Sequence, residues 1–133
     1  MAAQQKPALE WVPGAFAVCR LPAAAAIPPW AAAGARRALL SVTRTDRELS
    51  IVAPQDVVPA DAEAERGWVA LRVAGKVEFS KVGLLAQLAG ALATAGVPLM
   101  AISTYETDIL LVKSTSSGRA VEALRRVADI AAL

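Results

Sequence analysis

The 133-residue sequence predicts an α+β fold in which antiparallel sheets carry helices on one face. Two observations lead to this fold class. From Trp68 onward, the apolar patterns follow the order strand, helix, strand, strand, helix, and a hairpin-like motif occurs once in each half of the chain. A chain of this length suits one compact domain or two small units that share a core.

The first elements of the C-terminal half follow from hydrophobic periodicity. Trp68–Ala74 alternates large apolar residues with smaller or polar ones, which is typical of a half-buried strand. Lys81–Ala95 carries leucines at helical spacing, which predicts a helix with one buried face. Gly96 is positioned to end this helix, and Pro98 prevents its continuation.

A hairpin and a last helix complete this half. Leu99–Thr104 and Ile109–Val112 are apolar strands around the polar turn 105–108. Ser116 or Ser117 is expected to begin a helix that continues to about Asp129. The resulting order is one strand short of the split βαβ, or ferredoxin-like, unit (βαββαβ).

The N-terminal half shows a similar order with a shorter helix. A strand is predicted at Ala15–Leu21, after the turn signal Pro13-Gly14. Pro28-Pro29 is expected to open a short helix at Trp30. Leu39–Thr43 and Glu48–Ala53 are predicted to form a hairpin.

An internal repeat favours two related units. Ser41-x-x-x-Thr45-Asp46 and Ser103-x-x-x-Thr107-Asp108 share one spacing, and each motif lies between two apolar strands. We therefore expect two ferredoxin-like units in tandem, 1–67 and 68–133. The second unit lacks a fourth strand, and Leu9–Val12 alternates in polarity and is expected to complete its sheet by strand exchange.

Composition argues against most catalytic and polyanion-binding classes. The chain contains no histidine and a single cysteine, Cys19, inside an apolar run, so the commonest general base and Cys-His nucleophile pairs are absent. The net charge of +2 is spread along the chain, which disfavours nucleic acid as a partner. No apolar run reaches the roughly 18 residues that span a bilayer. We expect a cytoplasmic protein with no metal, no cofactor and no membrane contact.

The segment 101–113, which contains Ile-Ser-Thr-Tyr-Glu-Thr-Asp before an apolar strand, resembles the small ACT-domain proteins related to the CASTOR arginine sensors. Three further stretches match the same family pattern in the expected order: Pro13-Gly14 with 17–21, then 45–52, and then Gly67-Trp68 running to 79–85. Val77-Glu78 departs from the Leu-Asp pair usual in the family. The resemblance implies tandem ACT units, which in the related sensors and in aspartate-kinase regulatory regions bind amino acids between units.

Two segments offer groups that suit an α-amino acid. A strand-to-helix junction provides free helix N–H groups for a carboxylate, and the facing bend provides hydroxyls and an aspartate for an ammonium group. The candidate ligand-binding residues are Phe79, Ser80, Val82, Gly83, Leu84, Ile102, Ser103, Thr104, Thr107 and Asp108.

Purely structural roles are also open for several of these residues. Ser80 is equally suited to be a helix N-cap, and Gly83 to relieve packing against the sheet. Asp108 and Asp46 also suit hydrogen bonding within turns.

Three functions follow from this reading. The first is a regulatory module that binds a small molecule and acts as a homodimer. The second is an assembly module that is indifferent to ligand. The third is an enzyme that uses turn carboxylates, which is disfavoured because exposed carboxylates rarely acquire useful pKa values.

Overall fold

The structure of the protein is a computed structural model that describes residues 6–33, 36–74 and 81–131. The contacts divide the chain into two compact units: the N-unit, Val12–Val69, and the C-unit, Met1–Trp11 together with Ala70–Leu133. The boundary expected from the sequence lies between residues 67 and 68, and the contact boundary follows Val69.

Strand β1, Ala8–Leu21, contributes residues to both units. The sequence predicted a turn at Pro13-Gly14, and this prediction is wrong, because both residues lie inside the 14-residue strand. Gly14 has a φ of 99° and both residues are exposed, so the strand accommodates the two turn-forming residues at a local irregularity on its surface.

The N-unit contains helix α1 (Pro29–Ala33), strands β2 (Ser41–Arg44) and β3 (Leu49–Pro54), and the first part of β4 (Ala64–Val73). Its strand order is β2-β3-β1-β4, and both β2 and β1 pair antiparallel with β3. One core cluster of this unit consists of side chains from β1, β3 and the segments that cover them: Ala17, Cys19, Ala31, Leu49, Ile51, Ala53 and Val58.

The C-unit contains the rest of β4, then helix α2 (Lys81–Thr94), strands β5 (Met100–Ser103) and β6 (Asp108–Lys113), helix α3 (Ser117–Leu124) and the short strand β7 (Asp129–Ile130). Its strand order is β1-β4-β6-β5. The predicted order of strand, helix, strand, strand, helix is therefore confirmed, and so is the α+β fold class with a largely antiparallel sheet.

The end of the chain differs from the prediction. The last helix ends at Leu124 rather than near Asp129, and β7 follows it. Strand β7 pairs parallel with β1, with Ala8 opposite Asp129 and Leu9 opposite Ile130. Ala74 N also donates a hydrogen bond of 2.8 Å to Ala8 O. Residues at the start of β1 thus lie in the sheet of the C-unit.

Helix α2 ends at a glycine C-cap, as the sequence predicted. Gly96 has a φ of 71°, and its N–H donates to Ala93 O at 3.0 Å. Val97 N donates to Leu92 O at 2.9 Å, and both of these side chains are buried. This pair of bonds with its apolar contact is a Schellman motif, which requires a left-handed residue at the glycine position.

The two hairpins share one turn geometry, but not in the register that the repeated motif predicted. Arg44 pairs with Leu49 in one hairpin, and Ser103 pairs with Asp108 in the other, so each turn has four residues. The first turn residue, Thr45 or Thr104, donates its N–H to the carbonyl of the fourth at 2.9 or 2.8 Å. Thr45 therefore corresponds to Thr104 rather than to Thr107.

Candidate functional site

Five of the predicted binding residues lie together around the β5–β6 turn: Ile102, Ser103, Thr104, Thr107 and Asp108. Two more, Gly83 and Leu84, lie in the first turn of α2. Phe79 and Ser80 fall outside the residues that the structure describes, and so does the side chain of Val82.

Asp108 is the buried charged side chain of the described residues, with an exposed fraction of 8%. Its Oδ1 accepts a hydrogen bond of 2.7 Å from Ser103 Oγ, its partner across the hairpin. Among the described residues no lysine or arginine forms an ion pair with it. A buried carboxylate is costly unless it is paired or hydrogen-bonded, and the Ser103 hydroxyl supplies one such hydrogen bond.

Thr107 connects this turn to the end of β4. Its Oγ1 donates to Val73 O at 2.9 Å, and its N–H donates to Thr104 Oγ1 at 3.2 Å. Strand β4 ends at Val73, and the chain enters α2 at Lys81. The β5–β6 turn therefore contacts the strand that leads into the predicted strand-to-helix junction.

The start of α2 is open at Gly83. This residue is exposed, and a Cβ atom built on it would have no heavy atom within 4 Å. Leu84, by contrast, is 4% exposed and belongs to the core. A helix N-terminus presents unsatisfied N–H groups and a partial positive charge, both of which favour a carboxylate.

Sequence reasoning missed a cleft between α2 and α3 in the C-unit. Its volume is about 460 Å³, and ten residues line it: Gln87, Gly90, Ala91, Thr94, Ala95, Arg119, Glu122, Ala123, Arg126 and Val127. One signal was available, because the sequence from Val82 to Thr94 contains no charged residue. None of the predicted binding residues lines this cleft.

A smaller cleft, of about 280 Å³, lies in the N-unit beside Trp30 and Pro59. Cys19 borders this cleft but is only 2% exposed. Burial raises the pKa of the Cys19 thiol, and the nearby positive charge of Arg66 opposes this with a smaller effect. The thiol therefore lacks the low pKa and the exposure of reactive cysteines.

Two further observations limit the chemistry of the described parts of the chain. They contain no cluster of three or more histidine, cysteine, aspartate or glutamate side chains that could hold a metal ion. None of their helices has the length and the apolar character needed to cross a lipid bilayer.

Comparison with known proteins finds a family match for the C-terminal half of the chain. Residues 63–126, from the start of β4 to the end of α3, match the ACT domain family. Residues 14–61 match a second family, described as an N-terminal domain. The bovine protein "cytosolic arginine sensor for mTORC1 subunit 1" is 33% identical over 85 residues, which are 63% of this chain. The match covers 26% of that protein, so the chain spans about a quarter of the length of this curated relative.

Solved structures extend the similarity to nearly the whole chain. The regulatory subunit of aspartate kinase from Thermus thermophilus aligns with a TM-score of 0.57 and 11% sequence identity. The alignment covers 86% of this chain and 93% of that subunit, so the two share the fold. Protein Atu0741 from Agrobacterium tumefaciens has a TM-score of 0.88 and 31% identity, over 96% of this chain and 94% of that one. The fold is thus of the ACT, ferredoxin-like type. With an ACT-domain match over residues 63–126, the chain belongs to the same protein family as Atu0741.

Proposed function

We propose that this protein is a regulatory module that binds a small molecule of the amino-acid class and catalyses no reaction. The ACT-domain match supports a ligand-binding regulatory role. The similarity to a bovine arginine sensor supports the ligand class, and the similarity to a regulatory subunit of aspartate kinase is consistent with a regulatory role. The observation that carries the proposal is the buried carboxylate of Asp108 at the start of β6, directly after a turn that contacts the end of β4 through Thr107.

Asp108 would recognise the ammonium group of the ligand. Its carboxylate has one hydroxyl partner, Ser103, and no cationic partner among the described residues. A ligand ammonium would place a positive charge beside this carboxylate, and charge-assisted hydrogen bonds are roughly twice as strong as neutral ones. This role gives a reason for a carboxylate at a buried position where a neutral residue would cost less.

The ligand carboxylate would bind at the start of α2. The open surface at Gly83 leaves room for a ligand near the helix N–H groups. The proposed site comprises the predicted segments 79–84 and 102–108, which include the hydroxyl groups of Ser103 and Thr104. The tandem arrangement of two ACT units, 1–67 and 68–133, and membership of the group of CASTOR-related sensors are parts of the same proposal.

The absence of catalysis is proposed from the available side chains. The chain has no histidine, and its one cysteine is buried with a raised pKa. We propose a cytoplasmic location, because the sequence contains no apolar run long enough to span a bilayer and the bovine relative is named as cytosolic.

A screen by thermal unfolding tests the ligand proposal. A ligand at a hundredfold excess over its Kd stabilises the folded form by about 2.7 kcal/mol, which raises Tm by roughly 8–11 °C for a domain of this size. We expect at least one of the twenty amino acids at millimolar concentration to produce such a shift. Calorimetric titration of any active compound then measures the Kd directly.

Two matched variants locate the site. Asp108→Asn removes the buried charge and keeps the shape, and it is expected to weaken binding at least tenfold. Asp46→Asn makes the same change at an exposed turn residue of the other hairpin, and it is expected to bind like the wild type. Lack of a shift with every amino acid, or equal binding by Asp108→Asn, would contradict the proposal.

A second candidate function, assembly without a ligand, is favoured by one observation. Strand β5 is the edge of the sheet in the C-unit, and the side chains of Ala101 and Ser103 on it are exposed. Open sheet edges pair readily with other chains. Under either function we propose that the protein forms a homodimer. Light scattering with and without an active amino acid separates the two functions, because only a sensor responds to the compound.

A further inference from the structure

The smaller cleft, which lies in the N-unit, has an aromatic wall. Trp30 is the second residue of α1, and its half-buried side chain packs against the core cluster and lines the cleft. Ala31, the next residue, is 1% exposed and anchors α1 in the core. Leu21, Pro22 and Pro59 add apolar surface to the lining. Binding sites for small molecules are typically concave and mainly apolar, with a few polar groups that orient the ligand.

Three charged side chains complete the lining of this cleft. Asp61 and Glu63 lie on the segment that leads into β4, and Arg20 lies near the end of β1. All three are exposed, and none of them forms an ion pair with another residue in the described ranges. Two carboxylates against one guanidinium leave the lining with an excess of negative charge. The polar part of the cleft is therefore suited to a cation.

The acidic wall of the cleft is held in place without its own carboxylates. Arg66 Nη2 donates a hydrogen bond of 2.6 Å to Pro59 O at one end of this segment. At the other end, Arg20 N donates a hydrogen bond of 3.0 Å to Glu63 O. Because the main chain is fixed by these bonds, both carboxylates stay available to a ligand, and little ordering of the wall is needed when the ligand binds.

We propose that this cleft is a second binding site, which takes a small organic cation: a primary ammonium group on an apolar body. The apolar body would pack against Trp30, and the face of an indole ring attracts cations more strongly than that of any other side chain. The ammonium N–H groups would donate charge-assisted hydrogen bonds to the carboxylates of Asp61 and Glu63. A neutral molecule of the same shape would lack both interactions.

Arg20 distinguishes a cation from a zwitterion in this cleft. The carboxylate of a zwitterionic α-amino acid would pair with the guanidinium of Arg20, whereas a simple ammonium compound is repelled by it. The excess of negative charge in the lining favours the ammonium compound. Removal of the Arg20 charge should therefore strengthen the binding of a cation and weaken the binding of a zwitterion.

Three probes of similar shape test the charge requirement. Phenethylammonium carries the ammonium group, 2-phenylethanol replaces it with a neutral hydroxyl, and phenylalanine adds a carboxylate to it. Binding to the full chain is followed through the indole N–H resonance of Trp30 in NMR spectra. We expect phenethylammonium at millimolar concentration to shift this resonance. Its affinity should exceed that of the alcohol and of phenylalanine by about tenfold or more.

Matched charge variants locate the bound ammonium group. Asp61→Asn combined with Glu63→Gln removes both carboxylates of the cleft and should weaken phenethylammonium binding by about tenfold or more. The control, Asp46→Asn combined with Glu65→Gln, removes the same charge from exposed residues of the N-unit that do not line the cleft, and it should bind like the wild type. Arg20→Gln keeps the main-chain hydrogen bond to Glu63 and should strengthen binding by about threefold.

Several results would overturn the proposal. They are a Trp30 resonance that no probe shifts, equal affinity for phenethylammonium and 2-phenylethanol, or equal weakening by the cleft variant and its control. Weaker binding by Arg20→Gln would also overturn it and would assign the cleft to a zwitterion. Asp108→Asn, which alters the proposed site in the C-unit, should bind phenethylammonium like the wild type. The two ligand proposals therefore succeed or fail independently.

Discussion

The same substitution at two glycines of the α2 region should change stability in opposite directions. Gly96 occupies the left-handed C-cap position, with a φ of 71°, whereas Gly90 lies within the helix with open space around it. Alanine at residue 96 retains the two hydrogen bonds of the motif only if it adopts the left-handed conformation. Alanine at residue 90 fits the existing helix without strain.

The magnitudes follow from these two backbone environments. A left-handed residue with a Cβ atom costs about 1–2 kcal/mol, and the reduced freedom of the unfolded chain offsets about 0.4–1 kcal/mol of this. Gly96→Ala should therefore lower the free energy of unfolding by about 1 kcal/mol. Gly90→Ala should raise it by about 0.5–1 kcal/mol, because glycine is a poor helix former.

Thermal unfolding followed by circular dichroism measures the difference. The two variants should differ by about 2 kcal/mol, or roughly 6–8 °C in Tm, with the wild type between them. A Gly96→Ala variant as stable as the wild type, or a destabilised Gly90→Ala variant, would refute the assignment of the helix end and of the open space at residue 90.

Three further predictions concern single contacts. Burial raises the pKa of the Cys19 thiol, so this thiol ionises in the unfolded chain before it does in the folded chain as the pH rises above 9.0. The stability of the wild type should therefore fall above this pH, and that of Cys19→Ala should not fall for this reason. Measurements of Tm from pH 8 to 10.5 test this. Ser103→Ala removes a hydrogen bond to a buried carboxylate and should lower the free energy of unfolding by about 1.5–3 kcal/mol in urea titrations. The control variant Ser41→Ala should lower the free energy of unfolding by less than about 0.5 kcal/mol. Glu10 Oε1 and Arg72 Nε form an ion pair at 2.6 Å, and each of the two side chains is more than 40% exposed. A double-mutant cycle should therefore give a coupling energy of no more than about 1 kcal/mol for this pair.

Each of these predictions has a clear contrary result. Parallel pH profiles for wild type and Cys19→Ala would mean that the thiol titrates alike in the folded and unfolded chain. Equal stability of the two serine variants would mean that the hydroxyl of Ser103 contributes little to the hairpin. A coupling energy well above 1 kcal/mol that persists at 1 M salt would mean that the Glu10–Arg72 pair is shielded from solvent.

Elements with local determinants were predictable from the sequence. The leucines of α2 recur at helical spacing, and Gly96 marks the helix end through its own backbone conformation, so no distant residue is needed to predict either. The two hairpins were predictable for the same reason, since each joins two apolar strands through a polar turn.

Elements that depend on partners distant in the sequence were not predictable from the sequence. Pro13 and Gly14 are turn formers by local criteria, but the strand that contains them is paired on both sides of them, at residues 8–9 with β7 and at residues 16–21 with β3. Strand β7 has two residues and exists because Ala8 and Leu9 are available to pair with it. The predicted alignment of the two Ser-x-x-x-Thr-Asp motifs was wrong. The spacing of hydroxyl and carboxylate residues does not show which threonine forms the hydrogen bond that closes the turn.

The candidate site was predictable in part. The sequence identified Asp108 as a potential ligand residue, but its assignment to the turn was wrong, since Asp108 is the first residue of β6 and is buried. Burial depends on how the hairpin packs against β4, which local sequence does not encode. The α2–α3 cleft was missed because its charged rim and its uncharged wall come from helices that are separated along the chain.

The pairing of residue 8 with residue 129 has a consequence for biosynthesis. During translation, Val12–Val69 emerges from the ribosome early and contains all the strands of its own unit. The segment Ala8–Trp11 is synthesised before that unit, yet it reaches its β7 partner only after residue 130 has been made. Long-range pairing of this kind slows folding, so Ala8 and Leu9 stay without their β7 partner until residue 130 has been made, although Ala74 can bond to Ala8 O earlier.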